Sequence, residues 1–304
     1  MKGNRVRQLV IFIMITLFAM LLVASGKASR AEAATLVDVD WLEANLGRKD
    51  MRIVDVRPDV REYWQGHIPG AVYFSIEAVR LADQGIPVKL TPPEILTQML
   101  GRMGITPKSM VVVYGDTADP RATYLTWALD YLGHDSSAVL EGGFTFWKQG
   151  EKPITQDDPE IVPVRYLVPV ALQEQDRASL GEVEEVVRRQ NGIILDVRPH
   201  DLYTGEKGFW KRNGHIKGAV NHFYRDDFKE DGSWKSVDEL RKSYDEQGVT
   251  PDKTIIVSCG SGLMAADTYF TLKYILGYPQ VKLYDGSYSE WSNFDYLPIQ
   301  TGDK

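Results

Sequence analysis

The chain carries one unit written twice. Ile53-Val54-Asp55-Val56-Arg57-Pro58 returns 141 residues later as Ile194-Leu195-Asp196-Val197-Arg198-Pro199. Gly66-His67-Ile68-Pro69-Gly70-Ala71-Val72 returns as Gly214-His215-Ile216-Lys217-Gly218-Ala219-Val220, and the run Val111 to Tyr114 returns as Ile255 to Ser258. Gly142-Gly143 followed by Trp147 is matched with Asp285-Gly286 followed by Trp291. A period this long means duplicated domains and not a solenoid. The second copy carries an insertion near residues 204–210, so the spacing between copies grows through it.

Within each copy, short β-branched runs alternate with helical patterns. The runs lack period-2 alternation, which predicts strands covered on both faces. The fold class that follows is α/β, with two small, doubly wound, mostly parallel sheets flanked by helices. Thr91-Pro92-Pro93-Glu94 and Ser236-Val237-Asp238-Glu239 read as capping boxes that open helices. Two further helices are expected from Pro120 to Leu132 and from Met264 to Leu276, stopped by Gly133 and Gly277. Pro153, Pro159, Pro163 and Pro169 mark a connecting segment. The boundaries are 1–33 for a signal segment, 34–152 for the first domain, 153–178 for the linker and 179–304 for the second domain.

The first residues read as an export signal. Lys2, Arg5 and Arg7 precede an apolar run from Leu9 to Ala24, and Ala31-Glu32-Ala33 offers a small-x-small cleavage site. The expectation is an exported, periplasmic or otherwise extracytoplasmic protein, with membrane attachment only if the segment is retained. Cleavage would leave 271 residues and move the net charge from −7 to −11. Two domains of that size bury a core without disulfides. An acidic chain with scattered basic residues is a poor nucleic-acid binder.

Cys259 is the one cysteine of the chain, so its use is reactivity and not an internal disulfide. It stands where the run Ile255 to Ser258 stops and Gly260-Ser261-Gly262-Leu263-Met264 leads toward a helix. Loop N–H groups and a helix start favour a thiolate there. The matching segment of the first copy is Gly115-Asp116, which has no thiol. One active site in two copies is the expectation.

These residues resemble the tandem rhodanese-like sulfurtransferases. The paired DVRP strand ends, GHIPGA and GHIKGA, EGGF followed by Trp147, and the one cysteine loop carry the resemblance across residues 34 to 300. It implies that Cys259 accepts a sulfur atom as a persulfide, held by a loop of Gly260, Ser261, Gly262, Leu263 and Met264. It also implies a first domain that is non-catalytic and walls the cleft. The CGSG loop looks like the 3-mercaptopyruvate type, whereas the thiosulfate type more often carries Arg and Lys after the cysteine. Leu263-Met264 stands where family members commonly have Val-Thr. Leu202 stands where both types usually place an arginine for the donor's anionic end. Arg198, Lys211 and Arg212 are the remaining basic candidates, with Arg198 and Arg212 named as donor-binding residues and Asp196 as their support. The implied reaction moves sulfur from thiosulfate or 3-mercaptopyruvate to cyanide, a small thiol or a protein thiol, without a cofactor.

Each candidate also has a structural alternative. Asp196 and Arg198 recur as Asp55 and Arg57 in the copy without a thiol, which favours an internal ion pair. His67 and His215 recur too and read as turn braces; no metal-ligand spacing accompanies them. Trp210 in the insertion is a candidate cleft wall. A cysteine phosphatase or arsenate reductase needs an arginine six positions after the cysteine, and Ala265 stands there. The competing non-enzymatic expectation is a periplasmic persulfide carrier or sulfur sensor without turnover.

Overall fold

The apolar runs become the central strands of two parallel sheets. The computed structural model describes residues 32–83, 85–167 and 172–303; the export-type run within residues 1–31 lies outside them. The first copy has β1 (Glu32–Val37), β2 (Met51–Asp55), β3 (Ala71–Tyr73), β4 (Arg80–Asp83), β5 (Ile86–Leu90), β6 (Met110–Tyr114) and β7 (Ser136–Leu140). Five form a sheet in the order β1-β7-β6-β2-β3, parallel from β7 through β3. The other two, β4 and β5, make an antiparallel hairpin.

The second copy repeats the plan with β8 (Ile193–Asp196), β9 (His215–Ile216), β10 (Val220–Asn221), β11 (Ile255–Ser258), β12 (Val281–Leu283) and β13 (Ile299–Gln300). Its parallel sheet runs β10-β8-β11-β12. Arg177 and Ala178, at the end of the connecting segment, extend that sheet beside Leu283. The connection is therefore built into the second sheet at its far end.

Neighbouring residues of the central strands face different cores. Val111 and Val113 join an apolar cluster that also holds Ile255, Val257, Tyr269 and Phe270 of the second copy. Val112 joins a cluster confined to the first copy, and Ile256 one confined to the second. All of these side chains are essentially unexposed, which is why the runs are continuously apolar. One shared core therefore fastens the two copies together.

Helix ends follow the expected chemistry with one exception. Ser179 and Ser236 form reciprocal capping boxes with Glu182 and Glu239. Thr91 does not cap: the helix is Pro93–Arg102, its preceding residue is Pro92, and the Thr91 hydroxyl is buried without a partner. The Thr91 N–H is committed to Val79 O at 2.8 Å, which fixes this residue to the hairpin's base and not to the helix. The helix after Cys259 runs Ala265–Phe270 and then widens into a π-helical turn over Thr271–Ile275, before Gly277 at φ +72°.

Helix Pro120–Tyr131 packs on helix Ala265–Phe270 between the copies. There Thr123 Oγ1 donates to Asp267 Oδ1 at 2.7 Å, and the other Asp267 oxygen is buried without a partner. Burial first, then Asp119 and Asp227, push the Asp267 carboxyl up to about 8, against the opposing pull of Thr123 and Arg225. The folded state thus keeps a proton that the unfolded chain loses near pH 3.8. Stability from this group is present in acid and lost as pH rises toward about 8. Asp267→Asn is expected to raise the melting temperature by several degrees at about pH 7.5 and to change it little at about pH 4.5. A variant that melts below the parent at the higher pH would contradict this account.

Candidate active site

Cys259 follows the last residue of β11, and its side chain is fully buried. Its N–H donates to Ser287 Oγ at 3.1 Å, and that oxygen lies 4.0 Å from Sγ. Among the described residues, the backbone N–H groups of Gly260, Ser261, Gly262, Leu263 and Met264 donate to no protein acceptor. Successive N–H groups without acceptors are what a cradle for negative charge is made of. Gly262 holds φ +82°, and a Cβ there would come within 2.7 Å of Asp285 O. Glycine is thus required for this turn. Leu263 and Met264 direct their side chains to the shared core and offer the loop only their backbone.

Backbone hydrogen bonds fix the correspondence between copies. Tyr288 N donates to Cys259 O as Phe144 N donates to Gly115 O. Gly115 is therefore the counterpart of Cys259, and Gly143 of Ser287. This corrects the sequence match at Asp285-Gly286 by one residue: Gly142 answers Gly286, and Glu141 answers Asp285. Gly143 and Ser287 both hold a left-handed backbone, at φ +55° and +50°. A serine tolerates that strain only where its surroundings enforce it. Here its hydroxyl bonds the cysteine N–H and Tyr284 O. The Gly-to-Ser difference between copies was visible in sequence, but the register hid it.

The basic candidates have separate fates. The buried Arg198 donates to Asp196 and to Gly214 O, and Arg57 repeats this with Asp55 and Gly66 O. Arg198 also lies 4.2 Å from the Tyr288 ring and 4.9 Å from the Trp210 ring. Asp196 is thus the structural partner of Arg198. Arg212 donates to the carbonyls of Trp291, Ser292, Phe294 and Leu297. Its guanidinium closes a helix end and is not turned to the loop. Lys211 sits outside on Asp295. Trp210 does wall the loop: a Cβ on Gly260 would lie 2.9 Å from its ring. His67 and His215 stack on Tyr63 and Tyr203 and bond those residues' carbonyls, in matching geometry.

The residue that sequence reasoning missed comes from the other copy. Arg80, at the start of β4, donates through Nη2 to both Ser261 O and Ser261 Oγ, each at 2.8 Å. The hairpin that carries it is anchored where Leu90 N donates to Asp285 Oδ2 at 2.7 Å and Lys89 meets Glu290 at 3.2 Å. A reciprocal arm runs the other way: Trp234 N donates to Glu141 Oε1, and Gly232 lies against Thr117. Each copy therefore lays an arm over the loop end of the other. The first copy also offers a cavity of about 350 Å³ lined by Arg57, Glu62, Asp116, Phe144 and Lys148, with no thiol.

The rhodanese-like domain model matches this chain twice, at residues 38–150 and 179–294. The sulfur carrier protein TtuD of Thermus thermophilus is 35% identical over 90% of this chain and 99% of its own length. The thiosulfate sulfurtransferase of Corynebacterium glutamicum is 32% identical over 90% and 92%. Among solved structures, the anaerobic ergothioneine biosynthesis enzyme of Chlorobium limicola, in complex with trimethyl histidine, shares the fold. Its TM-score is 0.78 at 23% identity, over 88% of this chain and 70% of that one. The doubled domain match and these relatives show that this chain belongs to the rhodanese-like family as a two-domain sulfurtransferase.

Proposed function

We propose that Cys259 carries sulfur as a persulfide between an anionic donor and a thiophilic acceptor. The observation that carries this is the loop itself: one buried free thiol, followed by five residues whose backbone N–H groups have no protein acceptor among the described residues. With thiosulfate, the Cys259 thiolate attacks the outer sulfur, an Sγ–S bond forms, and the donor's S–S bond breaks. Sulfite leaves with the electron pair. With 3-mercaptopyruvate the C–S bond breaks instead, and the departing enolate takes a proton to become pyruvate. Cyanide or a thiolate then attacks the outer persulfide sulfur and returns Cys259 as thiolate. Loop N–H groups stabilise the anionic persulfide between the two steps.

A neutral Gly-Ser-Gly loop favours 3-mercaptopyruvate, while the relatives named thiosulfate sulfurtransferase favour thiosulfate. The Thermus relative named as a sulfur carrier favours a protein thiol as the acceptor. The basic, apolar N-terminal segment supports action outside the cytoplasm, testable by sequencing the mature N-terminus from fractionated cells. Incubation with each donor, followed by intact mass, is expected to add one sulfur atom that cyanide removes. Steady-state turnover with the same donors separates an enzyme from a stoichiometric carrier. A wild-type protein that gains no sulfur from either donor would refute the proposal.

A further inference from the structure

We propose that Arg80, delivered by the first copy, is the receptor for the anionic end of the sulfur donor. This rests on Cys259 being the sulfur acceptor. The second copy's own cations near the loop are committed elsewhere: Arg198 to Asp196, Arg212 to four carbonyls, Lys211 to Asp295. Leu202 supplies no charge. Arg80 is the cation that hydrogen-bonds the thiol loop among the described residues.

Its state is that of a binding group with capacity left. The Arg80 side chain is only 5% exposed, and its Nε is buried with no partner. One of its terminal nitrogens reaches Glu77 at 3.1 Å, and that carboxylate is largely in water. A guanidinium offers five donors in a rigid fork suited to carboxylate and oxyanion groups. A buried donor without an acceptor is costly, and an anion seated beside Ser261 removes that cost. The Tyr124 ring, 5.5 Å from the guanidinium, holds it in place, and Tyr124 OH is itself fixed by Asp285 at 2.9 Å.

The duplication supplies an internal control. Phe74 N and His222 N donate to the equivalent carbonyls of Asp55 and Asp196. Counting on through the matching 3-10 turns, Arg80 is answered by Phe228. The arm over the copy without a thiol therefore has a phenyl ring, and no charge, at that position. The arm over Cys259 has the cation. Charge and nucleophile occur together although they come from different copies.

The test compares alkylation of Cys259 by iodoacetate and by iodoacetamide, which differ by one charge. Arg80→Gln is expected to lower the iodoacetate-to-iodoacetamide rate ratio about tenfold and to raise the thiosulfate KM more than it lowers kcat. Arg80→Lys is expected to retain most of the ratio. Ser261→Ala, which removes a loop contact and keeps the charge, is expected to leave the ratio near wild type. Arg80→Met, which keeps the apolar stem and removes the charge, reads the same question if Arg80→Gln does not fold. Equal loss of both alkylation rates in Arg80→Gln, or a ratio that follows Ser261 and not Arg80, would reduce Arg80 to a loop brace. If wild type takes no sulfur from either donor, the persulfide proposal fails while the ratio still reports on Arg80.

Discussion

Replacing Cys259 with alanine is expected to lower sulfur-transfer turnover by about 10⁴-fold or more. No second thiol exists to take over, and the counterpart position is Gly115. The fold should survive, because the change removes one sulfur atom from a tight site, at a cost on the order of 1 kcal/mol. Cys259→Ser keeps nearly the same volume and should be equally inactive, since a hydroxyl is a far weaker nucleophile toward sulfur. Adding Gly115→Cys to the alanine variant is not expected to rescue turnover. A Cβ at Gly115 would lie 2.8 Å from Asp119 Oδ2, and a carboxylate at that distance disfavours a thiolate. Thiosulfate–cyanide turnover, with a thermal melt beside it, checks all three. Serine activity within tenfold of wild type would place the sulfur-carrying atom elsewhere.

The parts of this site that sequence alone conveyed are those set by local rules. A strand buried on both faces must be apolar at every position, so Val111 to Val113 and Ile255 to Val257 were legible as sheet centres. The placement of Cys259 was legible because an apolar run ends before it and glycines that permit a tight turn follow it. The Asp–Arg pairs were legible as structure because both copies carry them. Arg80 was not, since its partner Ser261 lies 181 residues away and only packing of the two copies joins them. Arg212 misled for a related reason. Its charge reads as free until four carbonyls of a distant helix end absorb it. Ser287 was lost to a one-residue error in register, which backbone hydrogen bonds correct and residue spacing does not.

Asp196→Asn is expected to destabilise the protein by about 3–5 kcal/mol, lowering the melting temperature by roughly 10 °C. Asp196 accepts from the Arg198 backbone N–H, Nε and Nη2, at 3.1, 2.9 and 2.6 Å. Both side chains are almost wholly removed from water, at 2% and 0% exposure. An amide in place of the carboxylate leaves a buried guanidinium without its counter-charge, and no solvent reaches it. Asp55→Asn should cost a similar amount, because the Asp55–Arg57 pair has the same 2.6 Å contact and comparable burial. The two variants should part in activity. Arg198 sits between Trp210 and Tyr288; the Trp210 ring packs beside Gly260, and the Tyr288 backbone N–H donates to Cys259 O. A displaced Arg198 therefore moves the thiol loop, while a displaced Arg57 moves Phe144 and the loop of the first copy, which holds no thiol. Folded Asp55→Asn is expected to keep kcat near wild type, and folded Asp196→Asn to lose a large part of it. Both should melt in one transition, since a single apolar cluster spans the two copies. An Asp55→Asn variant that melts with wild type, or loses activity as Asp196→Asn does, would break the link between this ion pair and the loop it supports.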